Sequence, residues 1–81
     1  MRKVIEVFGP GCAKCKALKK SAEEAVEILG WKEVEIKYIT NMDELVARGI
    51  FSTPSLAVNG KIVVSGKFLP PNKLVSILQN L

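Results

Sequence analysis

Cys12 and Cys15 are the residues of this chain whose type and spacing could do chemistry. They are the only cysteines among 81 residues, and they follow the glycine-rich stretch Gly9-Pro10-Gly11. Two thiols at this spacing can form a structural disulfide, bind a soft metal ion, or alternate between a disulfide and a dithiol. The chain has no histidine, which removes the roles that imidazole usually fills as a base or metal ligand.

A structural disulfide would contribute little here. The bridge would close a loop of four residues, for which chain entropy gives about 2 kcal/mol. In a reducing compartment such a bridge would not stay closed unaided.

A redox pair fits the predicted position of the cysteines better. Apolar residues recur at helical spacing after Ala13, so Cys12 would lie at the start of a helix. Unpaired N–H groups and about half a positive charge at that helix end favour a thiolate. Cys15 follows by almost one turn and would lie deeper. We therefore expect Cys12 to attack a target disulfide and Cys15 to resolve the mixed disulfide.

The charges of this helix are arranged against its own stability. Its first half carries Lys14, Lys16, Lys19 and Lys20, and its second half carries Glu23, Glu24 and Glu27. Each misplaced charge costs about 0.3–1 kcal/mol at low salt. Two interpretations are compatible: Lys14 and Lys16 lower the pKa of the Cys12 thiol, or the lysines form a solvated face with pairs such as Lys19–Glu23 and Lys20–Glu24.

Seven elements are expected to position these residues, in the order β-α-β-α-β-β-α. The predicted strands are Lys3–Phe8, 33–39, Ser55–Val58 and 61–64, the last two joined by an Asn59-Gly60 hairpin turn. The predicted helices are Ala13–Leu29, a short one capped by Thr40 or Asn41 and closed by Arg48-Gly49, and a last one with Pro71 in its first turn. This order predicts a single α/β domain over residues 1–81, with a mixed four-stranded sheet flanked by helices and the first strand central.

Thr53-Pro54 stands at the entrance to the third strand. Proline lacks the N–H that a ladder needs, so it belongs at a strand start or edge. Only about 5–6% of X–Pro bonds in folded proteins are cis, so local evidence favours a trans bond here.

With these features assembled, the chain resembles the thioredoxin superfamily in its short form, and within it the small redox-active disulfide proteins of archaea and bacteria. The resemblance covers essentially the whole chain. It rests on GPGCAKC after the first strand, on TPSLAVNG and on the closing SGKFLPPNKLVSIL.

The resemblance implies a thioredoxin-like fold and a protein-disulfide oxidoreductase. It assigns Cys12 as nucleophile and Cys15 as resolving cysteine, and it makes the Thr53-Pro54 bond cis and places it opposite the disulfide. Thr53 and Pro54, with Gly11 beside the first cysteine, are the candidate substrate-binding residues. The disulfide itself would carry two electrons, so no bound cofactor is expected. Target protein disulfides and a flavin-dependent thioredoxin reductase would be the partners.

Glu6 lies six residues before Cys12 in the first strand, where thioredoxins carry a buried acid that handles protons for the resolving cysteine. Glu6 is therefore a candidate base that modulates the thiols. Alternatively, it reaches solvent at the end of the sheet or pairs with a lysine.

Some positions depart from the family patterns. Ala13-Lys14 separates the cysteines, and Gly11 stands where thioredoxins have a tryptophan. These changes leave the reduction potential open. Lys67 replaces the acidic residue with which glutaredoxins bind glutathione, which argues against dependence on glutathione. The single tryptophan, Trp31, is expected to be a packing residue.

A metal-binding dithiol is the alternative function. Two thiolates can hold Cu(I) or half of a zinc site, but zinc would need further ligands from a second copy. The net charge of +4 is modest and mixed with acidic residues, so nucleic acid is not an expected partner. No apolar run reaches the length of a membrane span, and the start has no apolar core of a signal peptide. We therefore expect a cytoplasmic monomer.

Overall fold

The computed structural model describes residues 3–11 and 13–80. Its elements are β1 (Lys3–Phe8), α1 (Ala13–Leu29), β2 (Val34–Ile39), α2 (Met42–Ala47), β3 (Ser55–Val58), β4 (Lys61–Ser65) and α3 (Pro71–Gln79). The predicted order of strands and helices is therefore confirmed.

The four strands form one mixed sheet in the order β2-β1-β3-β4. Strand β1 is central: it pairs in parallel with β2 and antiparallel with β3, and β4 is added antiparallel to β3. The predicted mixed sheet and the central position of the first strand are both confirmed.

The larger part of the core lies between the sheet and the helices α1 and α3. Ile5 and Val7 of the central strand meet Leu18 of α1 and Leu74 of α3 there, and all four side chains are buried. Trp31 packs against the edge of this cluster, as expected, and Lys3 Nζ lies 3.8 Å from the centre of its ring.

Helix α2 covers the opposite face of the sheet with a smaller cluster. Phe8 and Ala57 from the sheet pack there against Leu45 of α2 and Ile50, which follows that helix. Alternation along β1 thus sends Ile5 and Val7 to one face and Phe8 to the other.

The β3–β4 hairpin turns at Asn59 and Gly60, whose φ angles are 51° and 88°. Both angles lie in the left-handed region that a two-residue type I′ turn requires. Asn59 also ties the hairpin to β1: its N–H donates to Val4 O at 2.8 Å, and its Oδ1 accepts from Val4 N at 2.9 Å.

Small differences from the sequence-based expectations concern element ends and one ion pair. Strand β2 starts at Val34 instead of residue 33, and β4 extends to Ser65. Asn41, not Thr40, caps α2, because its side chain accepts from two N–H groups of the first turn. Lys19 pairs with Glu23 at 3.2 Å, but the Lys20–Glu24 pair predicted with it is not formed. Over residues 3–11 and 13–80, no helix is long and apolar enough to cross a bilayer.

Candidate functional site

One end of the sheet brings together the segments on which sequence analysis had placed the site. Phe8, the last residue of β1, pairs with Ile39 at the end of β2 and with Ser55 at the start of β3. The chain then leaves β1 through Gly9, whose N–H donates to Ile39 O at 3.0 Å. The Gly9–Gly11 turn, the start of α1 and the Thr53-Pro54 bond therefore meet at this end of the sheet.

Cys15 is buried directly against Gly9. Its side chain has no solvent exposure. A Cβ built on Gly9 would overlap Cys15 Sγ and would stand 2.9 Å from Cys15 Cβ. Only a residue without a side chain therefore lets the first turn of α1 approach the end of the central strand this closely.

The position of Cys15 agrees with its predicted depth. It lies in the first turn of α1, where backbone N–H groups lack helical partners. Cys12 lies outside the described residues, and its role stays a prediction. Gly11, beside it, is half-buried with a φ of 96°.

The Thr53-Pro54 peptide bond is cis. The trans bond expected from local statistics is therefore wrong, and the cis bond implied by the family resemblance is confirmed. Pro54 is buried, whereas Thr53 is exposed. Ser55 Oγ donates to Ser52 O at 2.5 Å, which ties the loop before the proline to the start of β3.

Two aromatic side chains are exposed on the segments that border this end. Phe51, three residues before Pro54, is 83% exposed, and Phe68, which follows β4, is 40% exposed. The turn after β4 touches the proline loop, because a Cβ on Gly66 would stand 2.9 Å from Ser52 Cβ. Sequence analysis did not single out either phenylalanine, since hydrophobicity alone predicts burial.

Glu6 is buried on the other face of the sheet. Its side chain is 9% exposed and forms an ion pair with the Arg48 guanidinium. Arg48, the C-cap of α2, also stands over the Phe8 ring with its Cζ 5.3 Å from the ring centre. Glu6 thus neither reaches solvent nor pairs with a lysine. It lies on the α2 side of the sheet, whereas α1, with Cys15, packs on the opposite side.

Comparisons with known proteins decide the family. A family model described as a thioredoxin domain matches residues 3–79. The chain belongs to the thioredoxin family. It is 36% identical over 74 residues to a thioredoxin of Methanothermobacter thermautotrophicus, covering 91% of this chain and 95% of that protein. It is 41% identical over 64 residues to a thioredoxin of Methanocaldococcus jannaschii, covering 79% of this chain and 72% of that one.

A solved structure of thioredoxin-2 from the malaria parasite has the same fold, with a TM-score of 0.75 at 14% identity, covering 99% of this chain and 84% of that one. The structural match shows the fold, and the family model and the two curated relatives make the chain a protein-disulfide oxidoreductase of the thioredoxin family.

Within this thioredoxin-family site, Lys14 and Lys16 are both exposed on the first turns of α1. No group of three or more His, Cys, Asp or Glu residues within 3–11 and 13–80 is arranged to hold a metal ion. The two-thiolate metal hypothesis includes Cys12 and stays untested.

Besides the two phenylalanines, sequence analysis did not assign Gly9 and Arg48 to the site. The position of Gly9 could have been recognised from the sequence, since a glycine between a strand and a cysteine pair favours close approach of the backbone. No feature of the sequence pointed to Arg48, because 42 residues separate it from Glu6 and only the packing of α2 on the sheet brings them together.

Proposed function

We propose that this chain reduces protein disulfides with Cys12 as the nucleophile and Cys15 as the resolving cysteine. The Cys12 thiolate attacks one sulfur of a target disulfide, forming a Cys12–target bond and releasing the other target sulfur as a thiolate that takes a proton. The Cys15 thiolate then attacks Cys12 Sγ and releases the second target thiol. The target gains two electrons and two protons, and the chain ends as the Cys12–Cys15 disulfide.

The burial of Cys15 against Gly9 is the observation that supports this assignment of roles to the two cysteines. A sulfur with no solvent exposure cannot meet a protein disulfide directly, but it can attack a neighbouring sulfur from within the fold. The resolving step needs only that Cys12, three residues earlier, lie within reach.

The loop before β3 supports a role in holding the target. Thr53 is exposed immediately before the buried cis-Pro54, at the same end of the sheet as Gly11. An extended target segment could pair with exposed backbone there, as peptides do in β-augmentation. Gly11 beside Cys12 leaves room for it.

The disulfide is the only redox group that this function needs, so we propose no bound cofactor. A flavoprotein of the thioredoxin-reductase type would return the oxidised form to the dithiol. Turnover of this kind requires a reducing compartment such as the cytoplasm.

Trapping the mixed disulfide with a target peptide tests which cysteine is the nucleophile. Cys15→Ser should accumulate a mixed disulfide with a target peptide, because the attack of Cys12 is kept and the resolving step is lost. Cys12→Ser should form no adduct and show no turnover. Mass spectrometry of the adduct, with the unaltered chain as control, identifies the bonded cysteine. An adduct through Cys15, or turnover by Cys12→Ser, would refute the assignment.

A further inference from the structure

The first half of α1 carries a set of exposed lysines. Lys14, Lys16 and Lys20, here called the α1 lysine cluster, are all exposed. In the part of the chain that the structure describes, none of them forms an ion pair, whereas Lys19 is occupied by Glu23. At about 1.5 Å of rise per residue, the cluster spans roughly 9 Å of helix, beginning at the functional site.

Helix stability does not account for this cluster. The first turn of α1 has no acidic residue and its last turn has no basic residue, which opposes the helix dipole at both ends. Only one lysine of this half is compensated by a glutamate one turn later. The positive charge is therefore placed beside the redox site at a cost to the helix.

Further positive charge lies at the same end of the sheet as the α1 lysine cluster, and the acidic residues of α1 lie in the second half of that helix. Lys67 is exposed on the turn after β4, at the same end of the sheet. The exposed rings of Phe51 and Phe68 border that end. Asp43 and Glu44 lie in the first turn of α2, on the opposite face of the sheet. A partner that approaches the start of α1 thus meets lysines and aromatic rings, whereas the exposed Glu23, Glu24 and Glu27 lie on the second half of the helix.

We propose that the α1 lysine cluster docks target proteins whose disulfide is bordered by acidic side chains. This inference rests on the proposed function and adds the class of target to it. Opposite charges raise the rate of encounter, by tenfold or more for well-placed clusters at low salt, and the gain declines as salt screens it. The cluster therefore acts on association, whereas thiol–disulfide exchange proceeds as described above.

Three cyclic peptide disulfides with the same ring test the inference, flanked by acidic, neutral or basic residues. The reduced chain is mixed with each peptide, and the second-order rate constant is measured by stopped flow. We expect the acidic peptide to react about tenfold faster than the basic one at about 20 mM ionic strength, and within about twofold at about 0.5 M. Because all three peptides meet the same thiolate, this ratio is independent of the pKa of Cys12.

A matched pair of variants assigns the effect to the cluster. Lys16→Gln/Lys20→Gln should lower the acidic-to-basic ratio to about threefold. Lys32→Gln/Lys61→Gln removes the same charge from exposed positions at the opposite end of the sheet and should leave the ratio unchanged.

Two outcomes would overturn the proposal while leaving the proposed function intact: a ratio within about twofold at low salt while the neutral peptide is reduced normally, or an equal loss of ratio in both double variants. Failure to reduce any peptide would overturn the proposed function together with this inference.

Discussion

Replacing Arg48 should destabilise the fold through the carboxylate that it leaves behind. Arg48→Met keeps an apolar stem over the Phe8 ring but removes the guanidinium from Glu6, whose side chain is 9% exposed. Breaking a buried ion pair costs about 3–5 kcal/mol. Since the Arg48 side chain is 38% exposed and water reaches its side of the pair, we expect about 2–3 kcal/mol.

The double variant Glu6→Leu/Arg48→Met separates the ion pair from its packing. Replacing both charges by apolar side chains is often neutral, so its stability should lie within about 1 kcal/mol of the original chain. The single variant Glu6→Leu completes the cycle, and the three stabilities relative to the original chain then give the coupling energy between Glu6 and Arg48.

Urea denaturation followed by the fluorescence of Trp31 measures these differences, with circular dichroism as the second probe. In a thermal scan, Arg48→Met should melt about 8–24 °C lower, since 1 kcal/mol shifts the midpoint by about 4–8 °C in a domain of this size. The reasoning is refuted if Arg48→Met loses less than about 0.5 kcal/mol, or if the double variant is as unstable as the single one.

Three further substitutions test local contacts by the same denaturation measurement. Gly9→Ala should lower the free energy of unfolding by about 1–3 kcal/mol, because the added Cβ overlaps Cys15. Adding Cys15→Ala to this variant should restore part of the lost stability. An unchanged denaturation midpoint in Gly9→Ala would contradict the close approach of the two residues. Asn41→Ala should lower the free energy of unfolding by about 1 kcal/mol, because α2 loses its N-cap. The control variant Thr40→Ala should lower it by almost nothing. Equal losses in the two variants would reject Asn41 as the cap. Asn59→Ala should lower the free energy of unfolding by about 1–2 kcal/mol, because it loses a hydrogen bond to β1 and a side chain suited to its φ of 51°. Unchanged stability would show that this hydrogen bond does not hold the hairpin to β1.

The sequence was sufficient for the elements because their signals are local. The Val- and Ile-rich run Lys3–Phe8, helical spacing after Ala13 and the Asn59-Gly60 turn are each signals within a short segment, and the structure confirms all three elements. The order of these elements then restricted the topology, since a strand–helix–strand unit must be parallel and a two-residue turn must join antiparallel strands.

The contacts that complete the candidate site are not local, and local rules missed or misjudged them. The isomer at Thr53-Pro54 was wrong from local statistics because the small intrinsic preference for trans is overcome by tertiary context. The Glu6–Arg48 pair joins residues far apart in sequence, and none of the alternatives drawn from the sequence for Glu6 named Arg48 as its partner. The spacing of the helix predicted that Cys15 would be buried. Its contact with Gly9 could not be predicted from the sequence, because it depends on how closely α1 approaches β1 in the fold.

Glu6 shows how one fold can separate two tasks across its sheet. The central strand presents Gly9 to Cys15 at the end where α1 begins, and it presents Glu6 to Arg48 on the face covered by α2. Arg48 ends α2, and Ile50, packed in the same cluster as Phe8, comes two residues later and leads into the loop before Pro54. The ion pair is thus placed to anchor the segment that leads to the proline loop, whereas the Cys15 sulfur is buried under α1 on the other face.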